Sequence, residues 1–508
     1  MCQQSVQRAS KVAETALPEA VYSTQQVRDI DQRAIRECDI PGIELMSRAG
    51  KSAFAEIARS NPVARCVRIY CGSGNNAGDG YVVAAAAQQD GWDVEVVAVG
   101  DPAGLSGDAA AAFARAETAG VAIRAPADRL RDCDVIVDAL LGTGLTRPVA
   151  GAFAEAVDAI NRSAAQVVAL DMPTGINSDT GQILGDAVRA DLTVTFVGLK
   201  PGLFLGQAPD FTGTVRFDGL GIPPLAYQGL DPVMHTLPAG RLKVEFPKRS
   251  RMSHKGLNGK VLLIGGAPGM GGAIRLAGEA ALRAGAGRVQ IATHADSVAT
   301  VMSGRPELMC RAVDAAEALP ALLDGADAVV VGPGLGRGPW STTLYSAVVD
   351  FAVKTGRPLV LDADALNLLA GSPWVPCDAL LTPHPAEAGR LLGISTAAVQ
   401  ADRLAAVRAL AEKYMASVVL KGACSLVLDQ RDCYVCDRGN PGMATAGMGD
   451  VLAGVCGALA AGRRRIAGVA PTAVLLHAMA GDLAAQSGQR GTVAGDLMLP
   501  IRSLVNPV

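Results

Sequence analysis

Residues 67–101 read VRIYCGSGNNAGDGYVVAAAAQQDGWDVEVVAVGD, and this stretch decides the fold. The apolar run from Val67 to Gly72 predicts a buried strand, GYVVAAAAQQDG a helix, and VEVVAVGD a second strand. Two strands joined through a helix form a parallel pair, because the crossover carries the chain back to the edge it left. The pattern continues with a helix over Ala109 to Ala119, a strand in DVIVDAL (134–140), a helix over Phe153 to Ser163, and strands in QVVALDMP and LTVTFVG. Upstream, Val27, Ile30, Ala34 and Ile35, then Leu45, Met46 and Ala49, keep helical spacing from Thr24 to Arg59, interrupted at Pro41-Gly42. Strands rich in Val, Ile and Leu, separated by helices, predict a parallel sheet covered on both faces.

Between about Pro223 and Ser253 the pattern lapses into GIPPLAYQGLDP, LPAGR and PKRSR, which reads as a linker. A second series starts at GKVLLIGGAPG and runs through GRVQIAT, ADAVVVGPGLG, RPLVLDADAL, ALLTPH and ASVVLKG to helices over 448–462 and 471–487. The fold class is therefore α/β, with two tandem three-layer α/β/α domains. The expected boundaries are a loosely ordered lead-in over 1–21, a first domain over 22–235, a linker over 236–252 and a second domain over 253–505.

Size and composition agree with this division. A chain of 508 residues exceeds one ordinary core. Half the residues are hydrophobic and 19% charged, which excludes a disordered chain. A net charge of −3 offers no bulk attraction to nucleic acid or anionic membrane. No apolar run is long enough to span a bilayer, and residues 1–20 lack the apolar core of a secretory signal. Eleven scattered cysteines fit reduced thiols in the cytoplasm. Cys433 and Cys436 have metal-ligand spacing, but no second pair or histidine follows, and a hairpin strand beginning near SLVLD explains them better. Alanine-rich helices leave room for a homo-oligomer.

Gly50-Lys51-Ser52 looks like the end of a phosphate loop, but Leu45 stands where that loop needs glycine and the segment reads as helix. The loop Gly72-Ser73-Gly74-Asn75-Asn76-Ala77 matches G-x-G-x-x-A after a strand, which keeps a dinucleotide site open. Asp79, expected in the first helical turn, opposes a pyrophosphate there. The adjacent asparagines and the aspartate suit a neutral polar group or a cation held by oxygens. Two later strands also end in small polar loops, Asp138 to Gly144 and Asp171 to Gly175. In a parallel sheet all three loops fall at the carboxyl edge, where ligands bind.

In the second half, NPGMATAGMGDVLAG (440–454) sets glycines 442, 447 and 449 before Asp450 and an apolar helix. Such glycines let backbone N–H groups turn toward a phosphate, and the aspartate at the helix entrance is placed to act as base for a hydroxyl attacking it. Lys421 and Ser425 offer a cation and a hydroxyl. Thr382-Pro-His384-Pro-Ala-Glu387 offers an imidazole and a carboxylate in a proline-fixed loop. Gly332 to Gly336 and Gly265 to Gly269 provide small-residue floors.

GSGNNAGDG, VDALLGTGL and LDMPTGI, in that order over about residues 22–235, resemble the loops of the NAD(P)H-hydrate epimerase domain. The resemblance implies that Asn75, Asn76, Ala77, Gly78 and Asp79, together with Gly142, Thr143, Gly144, Leu145, Thr146, Arg147, Pro148 and Asp171, contact the hydrated nucleotide. It also implies a potassium ion on Asn76, Asp138 and Thr174. Ala77 stands where glycine is usual and Thr174 where serine is common. Inverting the C6 carbinol of the hydrate requires proton transfer, which we expect of Asp171.

SHKGLNGKVLLIGGAPGMGGA, AGAGRV, GPGLG, LDADALN, LTPHPAE, LKG and GMGD, across about 245–500, resemble the ADP-dependent NAD(P)H-hydrate dehydratases of the ribokinase-like superfamily. The first domain is thus expected to be Rossmann-like and the second ribokinase-like. The resemblance implies ADP at Lys421, Gly422, Ala423, Cys424 and Ser425 and along Asn440, Pro441, Gly442, Met443, Ala444, Thr445, Ala446, Gly447, Met448 and Gly449. The hydrate of NADH or NADPH would contact Ala267, Gly334, Thr382, His384 and Asp450. Ala386 and Ser425 replace the usual glycine and threonine. Asp450 would take the C6 hydroxyl proton as that oxygen attacks ADP, with magnesium neutralising the phosphates; no carboxylate cage for it is evident. A small-molecule kinase using the same Asp450, with a binding module as its first half, is the alternative.

Overall fold

The computed structural model describes residues 17–126, 131–374 and 377–507. Residues 1–16 of the expected lead-in lie outside the described residues. The chain divides into two compact units, 1–203 with 207–233, and 204–206 with 234–508.

In the first unit seven strands form a wholly parallel sheet. Their order across the sheet is Ala122–Arg124, Asp93–Ala98, Cys66–Cys71, Val135–Ala139, Gln166–Leu170, Leu192–Phe196, Thr214–Asp218. Alternate residues of each strand face opposite layers. Val67, Ile69 and Cys71 join a core with the helices Gly42–Ser60, Asn75–Gln89 and Gly107–Thr118. Tyr70 and Ile136 join a second core with Ala156, Val157 and Ile160 of the helix Ala152–Arg162. Two cores on two faces make the three-layer α/β/α sandwich. Chain order reverses between Cys66–Cys71 and Val135–Ala139, so the crevice at their carboxyl ends is the switch point where such sheets take ligands.

The second unit also builds a largely parallel sheet. Met234–Thr236, Asp432–Cys436, Ser425–Asp429 and Ser417–Leu420 lead to Ala379–Leu381, Leu359–Leu361, Ala328–Val331, Lys260–Ile264, Arg288–Thr293 and Met309–Ala312. Only Ser425–Asp429 runs against its neighbours, closing a hairpin with Asp432–Cys436. Val261, Leu263, Val330 and Val360 pack against the helices Gly271–Arg283, Met448–Arg463 and Val469–Ala484. Leu262, Ile264, Val329 and Val331 are buried on the opposite face. The glycine of the helix 448–463 that faces the sheet, Gly457, lies so close that a Cβ there would fall 2.3 Å from Val330.

Three local expectations change. The helix predicted from Gly80 begins at Asn75, because Gly74 is extended and supplies the N-cap. The asparagine-rich segment is therefore the first helical turn, and Asp79 sits in the second rather than the first. The Pro/Gly-rich stretch after Pro223 is not a plain linker. It holds the strand Met234–Thr236, paired in register with Tyr434 and Val435, and the short helix Arg241–Glu245. Met234 is fully buried despite its irregular surroundings, and the three-residue strand is too short to show a period. Gly50-Lys51-Ser52 lies within the helix Gly42–Ser60, where Gly50 packs on Val82. Cys433 and Cys436 lie on the hairpin strand, and a separation of three residues turns them to opposite faces.

Candidate active sites

A cavity of about 850 Å³ opens at the switch point of the first sheet. Its wall includes Asn75, Asn76 and Asp79 from the helix Asn75–Gln89, and Leu140 through Ala150 from the loop after Val135–Ala139. Asp171, after the strand Gln166–Leu170, also lines it. All of Gly142, Thr143, Gly144, Leu145, Thr146, Arg147 and Pro148 face this space, whereas Ala77 and Gly78 are buried behind it. Gly78 serves packing: a Cβ there would lie 2.5 Å from the Met46 sulfur.

Asp138 is fully buried beneath the loops. One oxygen accepts from the Thr174 hydroxyl at 2.7 Å and the Leu140 N–H at 3.2 Å, the other from the Thr174 N–H at 2.7 Å. Burial raises its pKa to about 6, against the pull of those hydrogen bonds. Asn76, 8% exposed, has no partner for either side-chain polar atom. A Cβ on Gly142 would sit 3.4 Å from the Asn76 amide oxygen, so the loop passes directly over it. A buried carboxylate without a paired cation beside an orphaned amide oxygen and a hydroxyl is an all-oxygen set suited to a hard cation.

Asp171 adopts φ 64°, a left-handed conformation costly for a residue with a Cβ and concentrated at functional sites. Its Oδ1 accepts from the ammonium of Lys200, which is 1% exposed and also donates to the Thr195 hydroxyl at 3.0 Å and the Phe196 carbonyl at 2.9 Å. Sequence reading missed Lys200. Its signal was available: GLKPG follows the strand Leu192–Phe196 and forms a fourth small-residue loop at the same sheet edge. Asp31, from the helix Thr24–Glu37, also lines the cavity and was not anticipated.

In the second unit the strand-ending segments converge on Lys421. Its ammonium lies 2.8 Å from Asp362 Oδ1 and 3.9 Å from Glu387 Oε2. Asp362, 1% exposed, also accepts from the Thr382 hydroxyl at 2.7 Å. Thus Lys421, expected to meet a phosphate, points first at carboxylates. His384 caps the helix Pro385–Leu392: its Nδ1 accepts from the Ala386 and Glu387 N–H groups, and Glu387 Oε2 accepts from the His384 N–H at 2.8 Å. Burial first, then Lys421, lowers the His384 pKa; burial lifts Glu387 to about 6. Arg403, 4% exposed, fixes the Lys421–Ser425 turn by donating to the carbonyls of Ala423 (2.6 Å) and Leu420 (3.3 Å), and Cys424 there has φ 49°.

Asp450 stands at the third residue of the helix Met448–Arg463. Among the described residues its carboxylate makes no hydrogen bond or ion pair. Burial and repulsion by Asp362 raise its pKa to about 7, with Lys421 opposing and Asp364 adding. Gly447 reaches φ 91°, and a Cβ there would meet Leu276 at 2.7 Å, so glycine is required where the loop enters the helix. Gly449 faces Lys421 and Asp362 closely enough that a Cβ would come within 3.5 Å and 3.9 Å of them. Pro441, Ala444, Thr445 and Ala446 are exposed along the loop, and Asn440, which accepts from the Gly442 N–H, is tied by its side-chain amide to Asp482 at 3.0 Å. Ala267 and Gly334 are joined by a backbone hydrogen bond of 2.7 Å, and Gly334 has φ 59°. Asp362, quoted in the LDADALN motif without a role, is the hub that sequence reading did not assign.

Comparison with known proteins matches both halves. The NAD(P)H-hydrate dehydratase family matches residues 261–502, and the family described as YjeF-related protein N-terminus matches 42–202. The bifunctional NAD(P)H-hydrate repair enzyme of Coxiella burnetii is 45% identical over 96% of this chain and 99% of its own. The chain belongs to the bifunctional NAD(P)H-hydrate repair enzymes. Its similarity to the Escherichia coli member is 40% identity over 97% of this chain and 95% of that one. A ribokinase-like superfamily protein from Enterococcus faecalis matches 54% of this chain and 96% of its own, with TM-score 0.50 and 26% identity. This repair enzyme therefore carries an epimerase unit and a dehydratase unit, and no helix among its described residues is long and apolar enough to cross a membrane.

Proposed function

We propose that the first unit interconverts the R and S epimers of hydrated NADH or NADPH. The second dehydrates the S epimer at the expense of ADP, giving AMP and phosphate. The observation that carries this reading is the occurrence, in one chain, of two separate carboxylate sites at sheet carboxyl edges. One is a deep cavity at a switch point, the other a helix entrance with an unpaired aspartate near neutrality.

In the dehydratase, Asp450 accepts the proton of the C6 hydroxyl as that oxygen takes the terminal phosphate of ADP. Expulsion of the phosphorylated oxygen, pushed by the ring nitrogen, restores the C5=C6 bond. Lys421 and Ser425, with the loop from Asn440 to Gly449, hold the nucleotide; Ala267, Gly334, Thr382 and His384 hold the hydrate. Among the described residues no three carboxylate, imidazole or thiol groups are arranged to hold a metal. Magnesium would accordingly arrive on the phosphates of ADP, where it neutralises charge.

In the epimerase, Asn75, Asn76 and Asp79, with Gly142 to Pro148, hold the hydrate and Asp171 transfers the proton. Asn76, Asp138 and Thr174 would hold potassium, which supplies the positive charge that buried Asp138 lacks. We place the enzyme in the cytoplasm, as a homo-oligomer acting on a small molecule. The free state of every described cysteine supports that compartment.

The test incubates enzyme and ADP with mixed epimers and follows reduced nicotinamide by absorbance. Full conversion supports both activities, and conversion of one epimer alone removes the epimerase. Inertness without a vitamin or sugar acceptor turns the second unit into a kinase. Asp171→Asn is expected to slow epimerisation about 100-fold with binding intact; an unchanged rate removes Asp171 from the chemistry.

A further inference from the structure

The cavity of the first unit holds more carboxylate than its buried cation matches. Asp31 and Asp79 line it from two different helices, together with Asp171 and Lys200. Lys200 is committed to Asp171. Among the described residues neither Asp31 nor Asp79 receives a side-chain hydrogen bond or an ion pair. Arg28, Asp108 and Arg147 are the other charged groups on the wall, and Arg28 is directed at the Thr143 carbonyl at 3.5 Å. Tyr227 lies within the field of Asp31 but donates its hydroxyl to Val197.

Desolvated carboxyls that repel one another and lack a paired cation do not all ionise near neutral pH. Burial, then repulsion from Asp171 and Asp31, pushes Asp79 well up, with Lys200 opposing. Burial lifts Asp31 to about 6, with Lys200 opposing and Asp171 adding.

We propose that Asp31 and Asp79 form the acid half of the epimerase, with Asp171 the basic half, so that C6 inverts by loss and re-addition of water. This rests on reading the cavity as the epimerase site. In the first step a proton from this acid half passes to the C6 hydroxyl oxygen. The C–O bond breaks with its electron pair on oxygen, water leaves, and the N1 lone pair forms an N1=C6 iminium. In the second step water adds to C6 from the other face and the iminium pair returns to N1. Asp171 accepts the proton released from the adding water. Nothing is oxidised or reduced, and solvent returns the proton from Asp171 to the pair. The reverse epimerisation runs the same steps on the opposite face.

The experiment follows interconversion of one purified epimer of hydrated NADH by the full-length enzyme, without ADP, in water enriched in oxygen-18. One heavy oxygen is expected at C6 per inversion. Asp31→Asn and Asp79→Asn are each expected to slow interconversion about 100-fold, while Asp31→Glu and Asp79→Glu recover most of it. Interconversion needs the acid form, so its rate falls as pH rises through the titration of the pair. Removing one carboxylate removes repulsion from the other, so residual activity in either Asn variant loses its alkaline limb at lower pH than wild type. A purely structural role leaves that limb in place. Inversion without heavy oxygen, or Asn variants with wild-type rate and limb, overturns the proposal. A wild-type enzyme that does not interconvert the epimers overturns the epimerase reading itself, a separate outcome.

Discussion

The two units put the same pair of residue types, an aspartate and a lysine, at the same edge of a parallel sheet and use the lysine in opposite ways. In the first unit the buried Lys200 is spent on the candidate base, Asp171. In the second, Lys421 is held by Asp362 and Glu387, and the candidate base Asp450 has no direct partner. A cation bonded to a carboxylate fixes its orientation. A cation one residue away leaves a desolvated carboxylate near neutrality, ready to take a proton at working pH. The difference suits the two reactions. Epimerisation returns every proton it moves, so a held carboxylate with acid partners suffices. Phosphoryl transfer removes a proton from an alcohol once per turnover and needs a free base.

The largest effect is expected of Asp450→Asn. Dehydration is expected to fall by about 10³-fold, within the range for loss of a general base. ADP affinity should stay near wild type, measured by calorimetry on the same preparation. Turnover above a tenth of wild type would show that the unpaired aspartate is not the base. Lys200→Met is the counterpart in the first unit. It removes a charge-assisted hydrogen bond of ~1.5–3 kcal/mol, so epimerisation should slow about 10- to 100-fold while dehydration of the S epimer is unchanged. A dehydratase defect of similar size would mean that Lys200 supports folding of the whole chain rather than Asp171.

The two activities should also respond to pH with opposite sign. Asp450 is raised to about 7 and must be ionised to act, so kcat/KM for dehydration should fall about tenfold per unit below that value and level off above it. The acid pair of the epimerase has the opposite sign and fails as pH rises. Profiles of one sign for both activities would contradict the contrast.

How much of this was legible in the sequence differs by residue. The inner strands of both sheets, with their loops, were readable because each is a run of Val, Ile and Leu; Ala122–Arg124, Thr214–Asp218 and Met309–Ala312 were not, since polar residues interrupt them or they are too short to show a run. Asp138, Asp171 and Asp450 announced themselves by standing at the ends of such runs or at a glycine-rich helix entrance. Lys200 did not, since a lysine beside proline and glycine reads as a solvated turn, and only the fold shows it buried at 1% exposure. Asp31 was hidden in a helix whose charged residues look like a solvent face; the cavity wall reaches it across a long sequence separation. Met234–Thr236 was lost because a three-residue strand inside a Pro/Gly-rich stretch carries no period.

The smallest expected effect concerns Thr174, where a methyl group departs from the family's usual serine. The hydroxyl and the N–H both bind Asp138 at 2.7 Å, and the hydroxyl oxygen also accepts from the Leu141 N–H at 2.9 Å. Every polar contact therefore survives in Thr174→Ser, and what is lost is one fully buried methyl, about 1 kcal/mol of packing. Thr174→Val keeps the shape and deletes the hydroxyl, leaving one Asp138 oxygen with a bond fewer and the Leu141 N–H unpaired, at ~1–3 kcal/mol. Thermal unfolding of the two variants should separate them by that margin, with epimerisation reduced only in Thr174→Val. If instead Thr174→Ser loses epimerisation and Thr174→Val keeps it, the methyl rather than the hydroxyl is what the site requires of position 174, and the oxygen set around Asp138 is not the cation site it resembles.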